Sequence, residues 1–400
     1  MRDRFVAGDP IRGGAALIIF TFHVALASLF ITGFEFGRDD QRDAFGPFLP
    51  LILDNAELVV YAFFVLSGYL IGRPFVQAFL GYRPPPRLGK YGRRRFMRIM
   101  PAFWIVVTLA VIRFGTLDSS TLDVVGIYAL MQSYDVAAGP LVQGVLGQLW
   151  TVHVEAWFYA LLPLGAIGLT FACGRRLSRN GRIVALFALL LLVALASLAI
   201  RQALPHNIPH LRWASALMFG FVPGVALAAL ETFVPRHATG RAWTGWATVG
   251  LVVVGVLFCL AFNEWYLRSP AITGALAALG TTAFVAAALL HQWSGRRLSR
   301  LFDNRPVNWL GERSYSFYLL HVPILWEMQL RFDGTVTTPW AAFGLLFGCT
   351  FVLSALGATV GYRYVERPSM GLDPWFWERK QSLPVEAAPA EPAPALAPKR

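Results

Sequence analysis

Apolar runs long enough to cross a bilayer recur ten times along this chain, at roughly 13–33, 57–80, 99–117, 145–172, 183–200, 213–231, 245–262, 270–291, 314–331 and 340–361. About 20 apolar residues are what a helix needs to span the hydrocarbon core, where each backbone N–H and C=O has to be satisfied inside the segment. At 56% hydrophobic and 14% charged residues, the chain also lacks the polar surface of an ordinary soluble domain. The expected fold is therefore all-α: a polytopic integral membrane protein with about ten transmembrane helices.

Ten crossings place both termini on one side, and the basic residues say which. Of the 35 Lys and Arg residues, 27 fall in the termini and the loops 81–98, 173–182, 231–244 and 292–313, seven fall at the opposite ends, and Arg73 lies within the second run. By the positive-inside rule both termini and those loops are expected in the cytoplasm, with the spans in the plasma (cell inner) membrane. The net charge of +12 then reports topology, contact with anionic membrane lipids and an anionic cytoplasmic ligand, not nucleic acid, because the basic residues are shared out by loop instead of gathered on one soluble face. Cys173, Cys259 and Cys349 stand apart in apolar surroundings and suggest neither a disulfide framework nor a metal site. The first run follows Arg2, Arg4 and Arg12 without a small-residue cleavage pattern, so it is expected to stay as an uncleaved anchor. Residues 1–377 form one membrane domain in this scheme, and 378–400, rich in Pro and Ala, a disordered cytoplasmic tail.

Charged and titratable residues inside such runs carry the functional information, since an ionisable group in a membrane is costly unless it has a use. Arg12 and His23 are eleven residues apart, which returns a helix to nearly the same face and separates them by about 16 Å along its axis, half a bilayer. Arg95 and Arg98, one turn apart at the mouth of the third run, can converge on one phosphate, or can anchor the loop to anionic lipid. Glu155 in the fourth run reaches a depth matching His23, where a carboxylate can hold an imidazole tautomer for general-base work. Tyr159, four residues on, shares the face of Glu155, whereas His153 points away and either faces substrate or packs. Ser67-Gly68 admits the close approach of a helix or a ligand, and His321, two residues before Pro323, either bonds across helices or lines the site. His206 and His210 flank Pro209 in an outer loop and do not read as a metal site. A glycine-rich phosphate loop, a His-x-x-x-x-Asp pair at His23, His153 or His321, and a Gly-x-Ser-x-Gly elbow are all missing, which removes nucleotide hydrolysis and two common acyl-transfer designs.

Together these segments resemble acyltransferase family 3, bacterial membrane proteins that O-acylate sugars of surface polysaccharide, peptidoglycan and some macrolides. The resemblance is carried by Arg12 and His23, by Phe63-Phe-Val-Leu-Ser-Gly-Tyr69, and by Arg95 and Arg98 ahead of Ile99 and Pro101. It continues through Trp150, Glu155, Phe158-Tyr159 and Pro163, then Tyr318-Leu-Leu-His321 and Glu366-Arg-Pro368. It implies a ten-helix fold that takes an acyl group, usually acetyl, from cytoplasmic acyl-CoA and delivers it to a hydroxyl of a carbohydrate, lipid-linked sugar or macrolide, without a metal. In its terms His23 is catalytic, Glu155 is the acidic partner in the fourth span, and Arg12, Arg95 and Arg98 hold the acyl-CoA. Ser67, Tyr69, Trp150, Tyr159, His153 and His321 are the candidate substrate contacts. His153 departs from the Ser common two residues before that Glu. Many members carry a further hydrolase-like domain, and direct transfer to a small or lipid-linked acceptor is the expectation here. The mechanism expected is general-base removal of the acceptor's proton by His23, oriented by Glu155, with a covalent acyl-histidine as a variant. The rival from another class is a proton-coupled transporter or lipid-linked sugar flippase with His23 and Glu155 as a proton relay. Neutralising the Arg95/Arg98 pair separates the two, because only a transferase then loses acyl-CoA binding.

Overall fold

A computed structural model describes residues 5–34, 44–46, 55–117, 119–134, 139, 141–173, 177–205, 211–233, 242–265, 268–294 and 304–371. His206, His210 and the tail 378–400 lie outside these described residues. All regular structure among them is helical: α1 Gly8–Ile31, α2 Ala56–Phe79, α3 Leu88–Phe114, α4 Thr121–Tyr128, α5 Trp150–Cys173, α6 Arg179–Ala203, α7 Val222–Leu230, α8 Ala242–Trp265, α9 Pro270–Trp293, α10 Arg305–Phe332 and α11 Pro339–Gly361.

Eight of these helices are long and apolar enough to cross a membrane: α1, α2, α3, α5, α6, α8, α9 and α11 with its continuation to Ser369. The remaining two apolar runs behave differently. The run at 213–231 is broken into 3₁₀ turns at Ala214–Ala216 and Met218–Gly220 before the nine-residue α7, because Pro223 starts a helix well and continues one badly. The run at 314–331 sits in α10, whose 28 residues would span, but Arg305, Glu312, Arg313, Glu327 and Arg331 crowd its ends. α6 and α8 turn Leu191, Leu192, Leu195, Val249, Val253 and Leu257 outward, as helices bathed in lipid do.

Two backbone-to-backbone crossings fix the interior. A Cβ on Gly13 of α1 would meet the Val307 carbonyl and the backbone of Gly311, and one on Gly311 of α10 would strike the backbone of Asp9. With Phe20 packed on Phe317 and His23 on His321, α1 and α10 therefore run parallel in constant register. The second crossing joins α2 and α7, also parallel, where Gly68 faces Phe221 and Gly224 faces Val65. Small residues here permit the close contact on which helix association in lipid depends. Arg73 on α2 closes the same pair through a two-pronged bond to Glu231 at 2.7 Å per prong. α10 and α11 are antiparallel, with Ser316 against Gly361 and Leu320 against Gly357. These directions match the odd and even crossings expected from the sequence.

The described residues between α3 and α5 fold back into the bundle. Ile127, Leu130, Leu141, Val142, Val145, Leu146 and Leu149 bury against Phe103, Val106 and Val107 of α3 and against Leu319 of α10. α5 consequently begins inside the protein, and its first two turns face α2, α3 and α10.

Candidate active site

The basic end is where α1 and α10 begin and where α3 presents its arginines. Arg12, Arg98, Glu155 and Tyr159 lie within electrostatic reach of one another there. Arg98 makes an ion pair with the fully buried Glu366, whose other oxygen accepts from the Ser316 hydroxyl and, at 3.2 Å, from the Ser316 N–H. The guanidinium of Arg98 also lies 5.6 Å from the Tyr315 ring centre. Arg98 is thus spent on tying α3 to α10 and α11, and the expected convergence of Arg95 and Arg98 on one anion gives way to a division of labour. Arg95 stands over the Tyr159 ring at 5.7 Å, its buried Nε without a hydrogen-bond partner among the described residues. Arg12 has Asp9 one turn away at 3.6 Å, too long for a strong bond. These two guanidinium groups retain donors for an anionic ligand.

Glu155 is placed by α5 and held by two hydroxyls. Ser67 of α2 donates to its Oε1 at 2.7 Å, and Tyr159 donates to the same oxygen at 2.5 Å. The i, i+4 spacing produces the second bond, and the packing of α2 on α5 produces the first. Glu155 therefore fixes the ring on which Arg95 rests. The expected contact with His23 is not made, because both bonding hydroxyls hold the carboxylate at the basic end.

His23 pairs instead with His321. His321 Nε2 and His23 Nδ1 are 3.0 Å apart, and His321 Nδ1 is 2.7 Å from the Tyr318 carbonyl. A carbonyl only accepts, so His321 carries its proton on Nδ1 and, when neutral, offers a lone pair at Nε2. That lone pair requires the proton of His23 on Nδ1, and the His23 ring also has the Ile19 backbone within hydrogen-bond reach. The chain of donors ends with a bare Nε2 on His23, the arrangement a general base needs. Phe317 lies parallel to the His321 ring and Phe20 meets its edge, each at 6.2 Å between ring centres.

Between the two ends runs a ladder of hydroxyls. Thr151 donates to the Tyr318 oxygen at 2.9 Å, and Tyr318 donates to the Gln148 carbonyl at 2.7 Å. Tyr318 lies within electrostatic reach of both Glu155 and Arg212, and Arg212 reaches His23 as well. Trp150 carries the Arg212 guanidinium over its ring at 5.5 Å.

Two candidates sit elsewhere. Tyr69, two residues past Ser67 and so on another face of α2, donates to Glu231 at 3.2 Å and belongs to the α2–α7 junction. His153 is completely buried, with Nδ1 against the Leu130 carbonyl and its ring against Tyr134 at 4.9 Å. It braces the returning segment, as its opposite direction from Glu155 dictates. Residues that the sequence did not single out are Ser316, Tyr315, Thr151, Gln148 and Arg212. Tyr315, Tyr318 and His321, each three residues apart, form a polar stripe on α10 that could have been found by period; Ser316–Glu366 and Gln148–Tyr318 are joined only by the fold.

A family model described as "Acyltransferase domain", that of acyltransferase family 3, matches residues 9–359. The chain belongs to acyltransferase family 3. This family match spans both clusters, from Arg12 to His321. Among curated relatives, the chain is 25% identical over 337 residues to the putative peptidoglycan O-acetyltransferase YrhL of Bacillus subtilis, covering 76% of this chain and 49% of that one. It is 26% identical over 328 residues to the peptidoglycan O-acetyltransferase OatA of Listeria monocytogenes, covering 76% and 50%. The O-acetyltransferase OatA of Staphylococcus aureus is 25% identical over 345 residues, covering 79% and 53%. The chain thus spans about half the length of the curated relatives it matches. No solved structure matches.

Proposed function

We propose that this protein is an O-acetyltransferase of the plasma membrane that moves an acetyl group from cytoplasmic acyl-CoA to a hydroxyl of a cell-envelope carbohydrate, with His23 as general base. The observation that carries this is the chain of contacts from the Tyr318 carbonyl through His321 to His23 Nδ1, which supports His23 Nε2 as the base. Family membership and three relatives named as O-acetyltransferases, two of them for peptidoglycan, support the acyl group and the carbohydrate acceptor.

In this scheme the basic end faces the cytoplasm. Arg12 and Arg95 receive the phosphates of CoA, while Glu155 and Tyr159 shape their surroundings and Arg98 holds α3 in place. The pantetheine arm then runs along α1, covering the interval of about 16 Å between Arg12 and His23. The acceptor hydroxyl comes to His23 Nε2 from the Arg212 end. Its oxygen attacks the thioester carbonyl as Nε2 takes its proton, and the new C–O bond forms at the tetrahedral carbon. The C–S bond breaks, the sulfur leaves as thiolate, and the imidazolium returns the proton to give free CoA thiol. His321 accepts from His23 Nδ1 throughout, so the imidazolium charge is shared across a hydrogen bond.

The test follows label from [14C]acetyl-CoA into the lipid and glycan fractions of membranes carrying the chain. Membranes with equal amounts of a His23→Ala variant are expected to incorporate about 10²–10⁴-fold less. Equal incorporation by both would end the assignment of His23 as base.

A further inference from the structure

Four of the long helices carry a proline in their interior, Pro74 in α2, Pro101 in α3, Pro163 in α5 and Pro323 in α10. A proline has no N–H, so the carbonyl four residues before it loses its helical donor, and in a membrane that carbonyl needs another. For Pro163 the vacated carbonyl is that of Tyr159, and for Pro323 that of Leu319. Both are filled from other parts of the fold. The Tyr91 hydroxyl of α3 donates to the Tyr159 carbonyl at 3.0 Å, and Gln148 Nε2, in the turn before α5, donates to the Leu319 carbonyl at 3.1 Å.

These two bonds land beside the two halves of the site. Tyr159 holds Glu155 and lies under Arg95. Leu319 follows Tyr318, whose carbonyl fixes the His321 tautomer and whose hydroxyl donates back to the Gln148 carbonyl. Gln148 is 3% exposed and holds α10 at two adjacent residues ahead of Pro323, donating through its side-chain amide to the Leu319 carbonyl and accepting through its backbone carbonyl from the Tyr318 hydroxyl. Its Oε1 has no partner among the described residues, so the side chain works through Nε2 alone.

We propose that Gln148 and Tyr91 are positioning residues that work as a matched pair of proline locks: Gln148 sets the His321–His23 chain through the carbonyl opened by Pro323, and Tyr91 sets the Tyr159–Arg95 platform through the carbonyl opened by Pro163. The catalytic part rests on His23 being the base. The reason is geometric. An empty Leu319 carbonyl would draw α10 toward any other donor, moving the Tyr318 carbonyl and turning His321 away from His23.

The locks make a crossed prediction that a general packing role does not. Restoring the backbone N–H by Pro323→Ala refills the Leu319 carbonyl from within α10, so Gln148 is no longer needed there. Pro163→Ala does the same for Tyr159 and Tyr91. The experiment uses the full chain in detergent, with the melting temperature of each variant, and native membranes, with the rate of [14C]acetyl transfer and the apparent KM for acetyl-CoA. Gln148→Leu is expected to lower the rate at saturating acetyl-CoA about tenfold, with KM changed less than about twofold, as a displaced base would. Tyr91→Phe is expected to raise the KM about threefold to tenfold, with the saturated rate largely kept. Pro323→Ala should rescue Gln148→Leu and not Tyr91→Phe, and Pro163→Ala the reverse, in melting temperature as well as in kinetics.

The proposal is overturned if the paired substitutions add without rescue, if either proline substitution rescues both side-chain variants alike, or if Gln148→Leu lowers only the melting temperature. A His23→Ala variant measured alongside separates the failures. If it transfers acetyl as fast as the wild type the base assignment falls, and the crossed melting temperatures still decide whether the carbonyl pairings exist.

Discussion

At the scale of single residues, the site divides into groups that hold charge and groups that set a tautomer, and substitution should separate them. His321→Leu removes the acceptor for His23 Nδ1–H and frees the ring to take the opposite tautomer. His321→Gln keeps an acceptor oxygen at similar reach. The leucine variant is expected to lose roughly 10–100-fold in transfer rate and the glutamine variant distinctly less, both at nearly unchanged donor KM. Equal losses would contradict the tautomer argument. Arg12→Ala and Arg95→Ala belong to the other group. Each deletes charge-assisted donors worth about 1.5–3 kcal/mol, which predicts a donor KM raised by roughly 10–100-fold, read by acetyl-CoA titration. Glu155→Gln retains an oxygen for Ser67 and Tyr159 and should be milder than Glu155→Ala, which abandons both hydroxyls at once.

At the scale of elements, the Arg98–Glu366 pair joins α3 to the end of α11, and Glu366 is fully buried on its side. Breaking a buried pair from one side strands a charge and costs about 3–5 kcal/mol, whereas removing both charges costs much less. Arg98→Met and Glu366→Gln should each lower the melting temperature in detergent markedly, and the double variant should recover most of the loss. Additive losses would show that the two do not act as a pair. What was legible in the sequence follows the same division. Helix directions, the shared face of Arg12 and His23, and the i, i+4 bond from Tyr159 to Glu155 depend on local period and could be read. The partner of His23 could not, because His321 lies 298 residues away and meets it only through the parallel register set at Gly13 and Gly311. Matching Glu155 to His23 by depth failed for a related reason: a depth count assumes helices that begin at the membrane surface, and α5 begins inside the bundle. The split of 213–231 was likewise hidden, since its hydropathy gives no sign that Gly220, Pro223 and Gly224 serve a close crossing with α2.

At the scale of the whole molecule, two chemistries are set apart along α1: guanidinium groups at one end and an imidazole pair about 16 Å along it. The helix directions at α1–α10 and α2–α7 imply that the first and ninth apolar runs enter from the same side, as do the second and sixth. Single cysteines introduced at Gly89 and at Gly371, in a background cleared of Cys173, Cys259 and Cys349, should react from the same face of sealed vesicles. Reaction from opposite faces would break the expected topology. In the proposed mechanism donor binding and proton removal occupy separate ends, so the decisive measurement is acetyl-CoA affinity and acetyl-transfer rate in one preparation of His23→Ala. The expected result is a Kd for acetyl-CoA within about threefold of the wild type together with a rate reduced about 10²–10⁴-fold. A variant that loses acetyl-CoA binding in proportion to its rate would instead put His23 among the donor's contacts and remove it as the base.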